Sequence, residues 1–137
     1  DALLAGEQSE PVVVGAVRYS GRDEPLPDDV VVTALDKKGI PTRVVSVPCL
    51  DLYERQSEAY RAEVIPRHLP RLAVEAGSTG LWWRHVGENG DVVGLDRFGE
   101  SAPAGDLFRL FGITAEMVAV RATRLVGAAT KPDLVPR

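Results

Sequence analysis

Apolar and polar positions fall into blocks of two different periods along this chain. "PVVVGAV" (residues 11–17) is a short, continuous apolar run rich in β-branched valine, the pattern of a strand buried on both faces of a parallel sheet. "RYSGRDEPLPDD" follows, dense in Gly, Pro and Asp, and predicts a long turn. Asp28 or Asp29 then caps a short predicted helix, "VVVTALDKK", which Gly39 ends. "TRVVSV" repeats the buried-strand pattern and Pro48 stops it. A second helix is predicted from Leu50 to Val64. Leu52, Tyr53, Gln56, Ala59, Tyr60 and Val64 recur there at helical spacing, with Glu54, Arg55, Glu58 and Arg61 interleaved, so one face packs and the other meets water.

"RLAVEAG" predicts a third strand, "LWWRHVG" a helical segment after it, and "DVVGLDRFG" a fourth strand entered through the Glu88-Asn89-Gly90 turn. "APAGDLFRLFG" and "TAEMVAVRATRLV" predict two closing helices, opened by Pro103 near a first turn and by Thr114 at an N-cap. Strands alternating with helices at these intervals argue for an α/β fold on a mostly parallel sheet. Right-handed crossovers place helices on both faces, giving three layers, α/β/α.

Composition narrows the picture. A length of 137 residues with 45% hydrophobic content suits one domain with a buried core. No apolar run reaches the ~18 residues that a membrane span needs, and "DALLAGEQSE" lacks the basic and apolar regions of a signal peptide. A soluble, cytoplasmic protein is expected, and the single cysteine, Cys49, suits a reducing compartment. A formal net charge of −4, with Lys and Arg dispersed, weighs against sequence-independent binding of nucleic acid, and no nucleic-acid partner is expected. The final "LVPR" (134–137) matches what a thrombin site leaves after tag cleavage. The expected organisation is therefore a poorly ordered boundary over residues 1–10, a domain over 11–130 and a tail over 131–137.

Candidate chemistry is sparse. His68 and His85 fall on different elements without a partner ligand at helical spacing, and Cys49 stands alone, so no metal site is predicted. No G-x-S-x-G occurs, and Cys49, although placed to open a helix, is expected to be buried filler. The loop after the first strand has only Gly15 and Gly21, while Pro25 and Pro27 remove donors that a phosphate cradle needs; no dinucleotide or P-loop fingerprint is present.

Glycine and polar residues cluster instead in "VEAGSTG" and "DRFGESAPAG". An open α/β sheet binds ligands at the carboxyl ends of its strands, so Gly77, Ser78, Thr79, Asp96, Arg97 and Ser101 are candidates to line a crevice there. Ordinary strand-to-helix turn chemistry is the competing reading. Trp82 and Trp83, adjacent on a helix, point roughly 100° apart. One of them is expected in the core and the other at an interface, where Trp and Arg are enriched. Trp83, Phe98 or Phe108 is expected in an exposed apolar patch.

Taken together, "RVVSVPCLDLYERQSEAYRAEVIP", "RLAVEAGSTGLWWRHVG", "GLDRFGESAPAGDLFRLFGIT" and the closing helix resemble the C-terminal domain of transketolases. The resemblance spans about residues 39 to 127 and includes the family-like "VEAGST" and "DRFG-x-SAPAG-x-LF". It implies a sheet of four to five strands that is mixed, with one antiparallel strand. It also implies a homodimeric, three-domain enzyme of the pentose phosphate pathway. That enzyme transfers two-carbon ketol units between sugar phosphates with thiamine diphosphate and a divalent metal, Mg or Ca. Cofactor and catalytic residues belong to the family's first two domains, so this chain is expected to be non-catalytic and to bind no cofactor, its partners being the remaining domains and a second subunit. A free-standing ligand-binding or regulatory module, or the small subunit of a split transketolase, are the alternatives.

Two departures stand out. Where the family commonly reads Gly-Trp-His, this chain has Leu81-Trp82-Trp83, so Trp83 stands at the family's histidine and His85 inherits no role from it. The loop "RYSGRDEPLPDDVV" is also longer and more proline-broken than the family's short turn. The tryptophan segment is expected to pack Trp82 on the sheet and to present Trp83 or His85 to another domain or subunit.

Overall fold

The structure, a computed structural model, describes residues 12–16 and 35–129. The expected boundary segment 1–10, the turn over 18–29 with its caps Asp28 and Asp29, and the tail 131–137 lie outside the described residues.

Four strands form one sheet: β1 (Val12–Ala16), β2 (Thr42–Ser46), β3 (Arg71–Val74) and β4 (Asp91–Val93). Their order is β2-β1-β3-β4 and every pairing is parallel, with Val14 opposite both Val44 and Leu72, and Ala73 opposite Val92. The mixed sheet expected from the resemblance is therefore corrected, among the described residues, to a purely parallel one. Parallel neighbours require crossover connections, and helices supply those described here. The predicted strand over 91–99 also ends early. Past Val93 the ladder gives way to a loop-to-loop bond, Leu95 N–H donating to the carbonyl of Gly77 at 2.7 Å.

Side-chain alternation sorts the sheet into two cores, as the three-layer expectation requires. On one face Leu72, Val74 and Val93 meet Leu35, Ile113 and the buried side of the long C-terminal helix. On the other, Ala73 and Val92 meet Val47, Trp82 and Val86, with Leu50, Tyr53 and Ile65 packed around them. Of the predicted helix before Gly39, residues 30–34 lie outside the described residues; Leu35 and Asp36 are helical, and Gly39 closes the turn after them at φ 68°, a conformation glycine adopts at no steric cost.

The predicted helix over 50–64 is broken into α1 (Leu50–Glu54) and α2 (Glu58–Val64). Ser57 causes the break: its backbone is extended and its Oγ accepts from Tyr60 N–H at 3.2 Å, capping a new helix instead of continuing the old one. Only part of the predicted packing face survives the break: Tyr53 packs against the second core and Val64 is half-buried. Leu52 and Tyr60 stand 57% and 50% exposed, and neither helix carries a fully buried residue.

After β3 come a 3₁₀ turn (Thr79–Leu81) and the one-turn helix α3 (Trp83–Val86); after β4 come α4 (Ala104–Leu110) and α5 (Ala115–Ala129). Thr114 caps α5 as predicted, its Oγ1 accepting from Met117 N–H at 3.3 Å. Ala115, Val118, Ala119 and Ala122 form the buried stripe of α5, and the small alanines let its backbone lie close to the sheet. Arg121 fixes the helix along its length by a forked contact to Asp91, the first residue of β4, with a further bond to the carbonyl of Val92 at 3.3 Å.

Candidate functional site

The crevice predicted at the carboxyl ends of β3 and β4 exists as two loops bound to each other. Asp96 is the clasp. Its carboxylate accepts from Thr79 N–H at 2.9 Å, from Thr79 Oγ1 at 2.6 Å and from Ser78 Oγ at 3.3 Å. These bonds, those from Thr79 foremost, hold the Asp96 carboxyl below the usual aspartate range. Gly94 lies beneath them. A Cβ there would come within 2.8 Å of Thr79 Cγ2 and 3.0 Å of the Gly77 carbonyl, so only glycine lets the loops approach this closely.

The structure thus joins Gly77, Ser78, Thr79 and Asp96, and adds Trp83, whose Nε1 donates to Thr79 Oγ1 at 3.2 Å. The other candidates stand apart from the clasp. Arg97 pairs with Glu100 at 2.8 Å and lies over the Phe111 ring at 5.4 Å. Phe98 is 96% exposed, and Ser101 is exposed as well. Phe108, expected in an exposed patch, instead packs against the first core, because α4 turns that side chain toward Ile113 and α5.

The tryptophan pair divides as helical geometry requires: Trp82 is 4% exposed and Trp83 47%. Trp82 sits against Ala73 and Val92 of the sheet and directs Nε1 to Glu75 at 3.4 Å. His85 is not presented outward. Its ring meets the edges of Tyr53 and Trp82, and Nε2 lies 3.0 Å from Glu54 Oε1 and 3.2 Å from Arg84 Nε. Burial lowers its pKa, and the guanidinium groups of Arg84 and Arg61 add to that, against the opposing pull of Glu54. Cys49, expected as buried filler, is exposed at the start of α1, where its carbonyl accepts from Tyr53 N–H at 3.2 Å.

His85 also marks the edge of a cavity of about 350 Å³ that the sequence reading missed. Tyr53 of α1, Arg61 of α2, Arg67 and His68 of the following turn, Arg71 of β3 and Arg84 of α3 all line it. Lys and Arg are dispersed along the chain, yet the fold gathers four guanidinium groups here. A local signal was present: residues 61–71 hold Arg61, Arg67, His68 and Arg71 against one carboxylate, Glu63.

Among the described residues no three His, Cys, Asp or Glu side chains converge to hold an ion, and the Asp96 carboxylate is already occupied by its own neighbours. Thiamine diphosphate needs a divalent metal on its diphosphate oxygens, and these donors do not fit one. Also among the described residues, no helix is long and apolar enough to cross a membrane.

Residues 30–114 match the family described as the transketolase-like TK C-terminal domain. The chain is 46% identical over 93 residues to Transketolase 2 of Pasteurella multocida, covering 67% of this chain and 14% of that protein. It is 44% identical over 124 residues to the chromosomal transketolase of Cupriavidus necator, covering 81% of this chain and 18% of that one. Among solved structures, transketolase from Leishmania mexicana superposes with a TM-score of 0.75 at 32% identity, over 92% of this chain and 17% of that chain. The Pichia stipitis transketolase complex with sedoheptulose 7-phosphate gives a TM-score of 0.73 at 34% identity, over 85% and 16%. The chain spans less than a fifth of the length of each of these relatives. On sequence and on fold alike, the chain belongs to the transketolase C-terminal domain family.

Proposed function

We propose that this chain serves as the non-catalytic C-terminal domain of a cytoplasmic transketolase, supporting two-carbon ketol transfer by packing against the other domains and a second subunit. The observation that carries this reading is the state of the crevice where an open α/β sheet would hold a ligand. Its polar groups are directed at one another through Asp96, so the site reads as an internal clasp between loops. Exposed Trp83, Leu81, Phe98 and Leu110 support a packing role, because large apolar side chains in water are the surface that neighbouring domains cover. Thiamine diphosphate, its metal and the catalytic groups belong in this reading to domains outside the chain.

The test is a ketol-transfer assay on the 137-residue chain, with calorimetric titration of thiamine diphosphate and Mg²⁺. Neither turnover nor cofactor binding is expected. Measurable conversion of a ketose phosphate by the chain alone would overturn the reading. Adding the chain to the separately expressed cofactor-binding domains should restore dimer assembly and activity; activity indifferent to its presence would also count against a supporting role.

A further inference from the structure

The cleft between α1, α2 and α3 concentrates positive charge on a chain whose formal net charge is −4. Arg61, Arg67, Arg71 and Arg84 line it, with Glu58 the carboxylate on its wall. Glu54 lies close by but is already engaged with Arg84 and His85. Among the described residues, Arg61, Arg67 and Arg71 have no carboxylate within ion-pairing distance. Arg71 donates Nη1 to the carbonyl of His85 at 2.7 Å, which positions the guanidinium without neutralising it.

Two features show that this arrangement is incomplete. The Nε groups of Arg61 and Arg71 are both buried and lack a hydrogen-bond acceptor, a condition that folded proteins rarely leave in place. The cationic groups also crowd one another. Burial lowers the Arg71 pKa and the charge of Arg67 lowers it further; burial raises the Tyr53 hydroxyl, against the opposing charges of Arg61, Arg71 and Arg67. An anion entering the cleft would relieve the repulsion and pair with guanidinium groups that no carboxylate neutralises.

The chemistry of the walls narrows the ligand. Guanidinium forks match the oxygens of a phosphoryl group, and several of them around one space suit a dianion better than a single carboxylate. Ala62, Ile65 and Pro66 make the remaining wall apolar, and about 350 Å³ is the small end of the range for ligand pockets. We propose that the cleft binds a small phosphate-bearing molecule, with Arg61, Arg67 and Arg71 on its phosphoryl group and its organic part against Ile65 and Ala62. The site lies at the amino end of β3, away from the Asp96 clasp, and is read out by binding alone, independently of the proposed role in ketol transfer.

The experiment is a heteronuclear NMR titration of the 137-residue chain at constant ionic strength with inorganic phosphate, glycerol 3-phosphate and, in a separate arm, phosphatidic acid vesicles. Saturable one-site shifts at Arg61, Arg71 and His85 are expected with glycerol 3-phosphate, and weaker ones with inorganic phosphate. Arg67→Gln, an exposed change that does not threaten folding, should weaken binding about tenfold, while Arg97→Gln on the far loop leaves it unchanged. Absence of saturation, equal weakening by both variants, or binding confined to vesicles would each overturn the proposal.

Discussion

The contact between Arg121 and Asp91 is the firmest polar link between α5 and the sheet, and its worth can be worked from the structure. Arg121 reaches both carboxylate oxygens of Asp91 and the carbonyl of Val92, with the two side chains 34% and 21% exposed. Exposed pairs contribute ~0.2–1 kcal/mol, and removing one partner of a fully buried pair costs ~3–5 kcal/mol. This pair lies between those limits, nearer the first because solvent still reaches it. A double-mutant cycle of Asp91→Ala, Arg121→Ala and both together should give a coupling of about 1–2 kcal/mol at pH 7, measured by urea unfolding. The cycle is needed because Asp91 Oδ1 also accepts from Val92 N–H at 2.8 Å, so Asp91→Ala removes more than the ion pair.

The pH dependence gives an independent check. Burial alone would raise the Asp91 carboxyl; the bond from Arg121, the Val92 N–H and the charges of Arg121 and Arg124 outweigh it, and the folded value lies below the ordinary one. A depressed carboxyl binds fewer protons folded than unfolded. Its stabilisation is therefore complete above the unfolded value of about 4 and is lost as pH falls through the folded value. A coupling below about 0.3 kcal/mol at pH 7, or one that does not change on acidification, would refute this account.

Further outcomes follow from the packing. Gly94→Ala should cost about 1–3 kcal/mol in urea unfolding, because its Cβ would meet Thr79 Cγ2 and the Gly77 carbonyl; a neutral effect would mean that the loops are not held together. Trp82→Ala should cost about 3–5 kcal/mol and Trp83→Ala less than about 1 kcal/mol, followed by circular dichroism because each removes a fluorophore. His85, with its pKa lowered by burial, should titrate below about 6.5 by NMR, so stability should decline as pH falls below that value. His85→Asn should flatten that decline; an ordinary or raised histidine pKa would refute it.

Much of this molecule is readable from residue order alone. Short apolar runs, valine-rich in β1 and β2, predict four strands, and Gly39 and Thr114 bound helices where expected. The reason is physical: period, capping and turn conformation are set by neighbours a few residues apart. The division of Trp82 from Trp83 follows from the same local geometry, and the clustering of Gly77, Ser78, Thr79 and Asp96 from the rule for strand ends.

What depends on distant partners came only from the tertiary structure. Ser57 breaks a helix that its apolar periodicity favours, since a single side-chain cap competes with backbone propagation. Asp96 becomes a clasp instead of a ligand group because Thr79, 17 residues away, reaches it first. His85 turns inward because Glu54, 31 residues earlier, lies within 3.0 Å of its Nε2 and Tyr53 and Trp82 pack on its ring. The four arginines of the cleft are spread over 24 residues and three elements, and no local period records that they share one space. Charge acts through distance in three dimensions, and only the folded chain sets that distance.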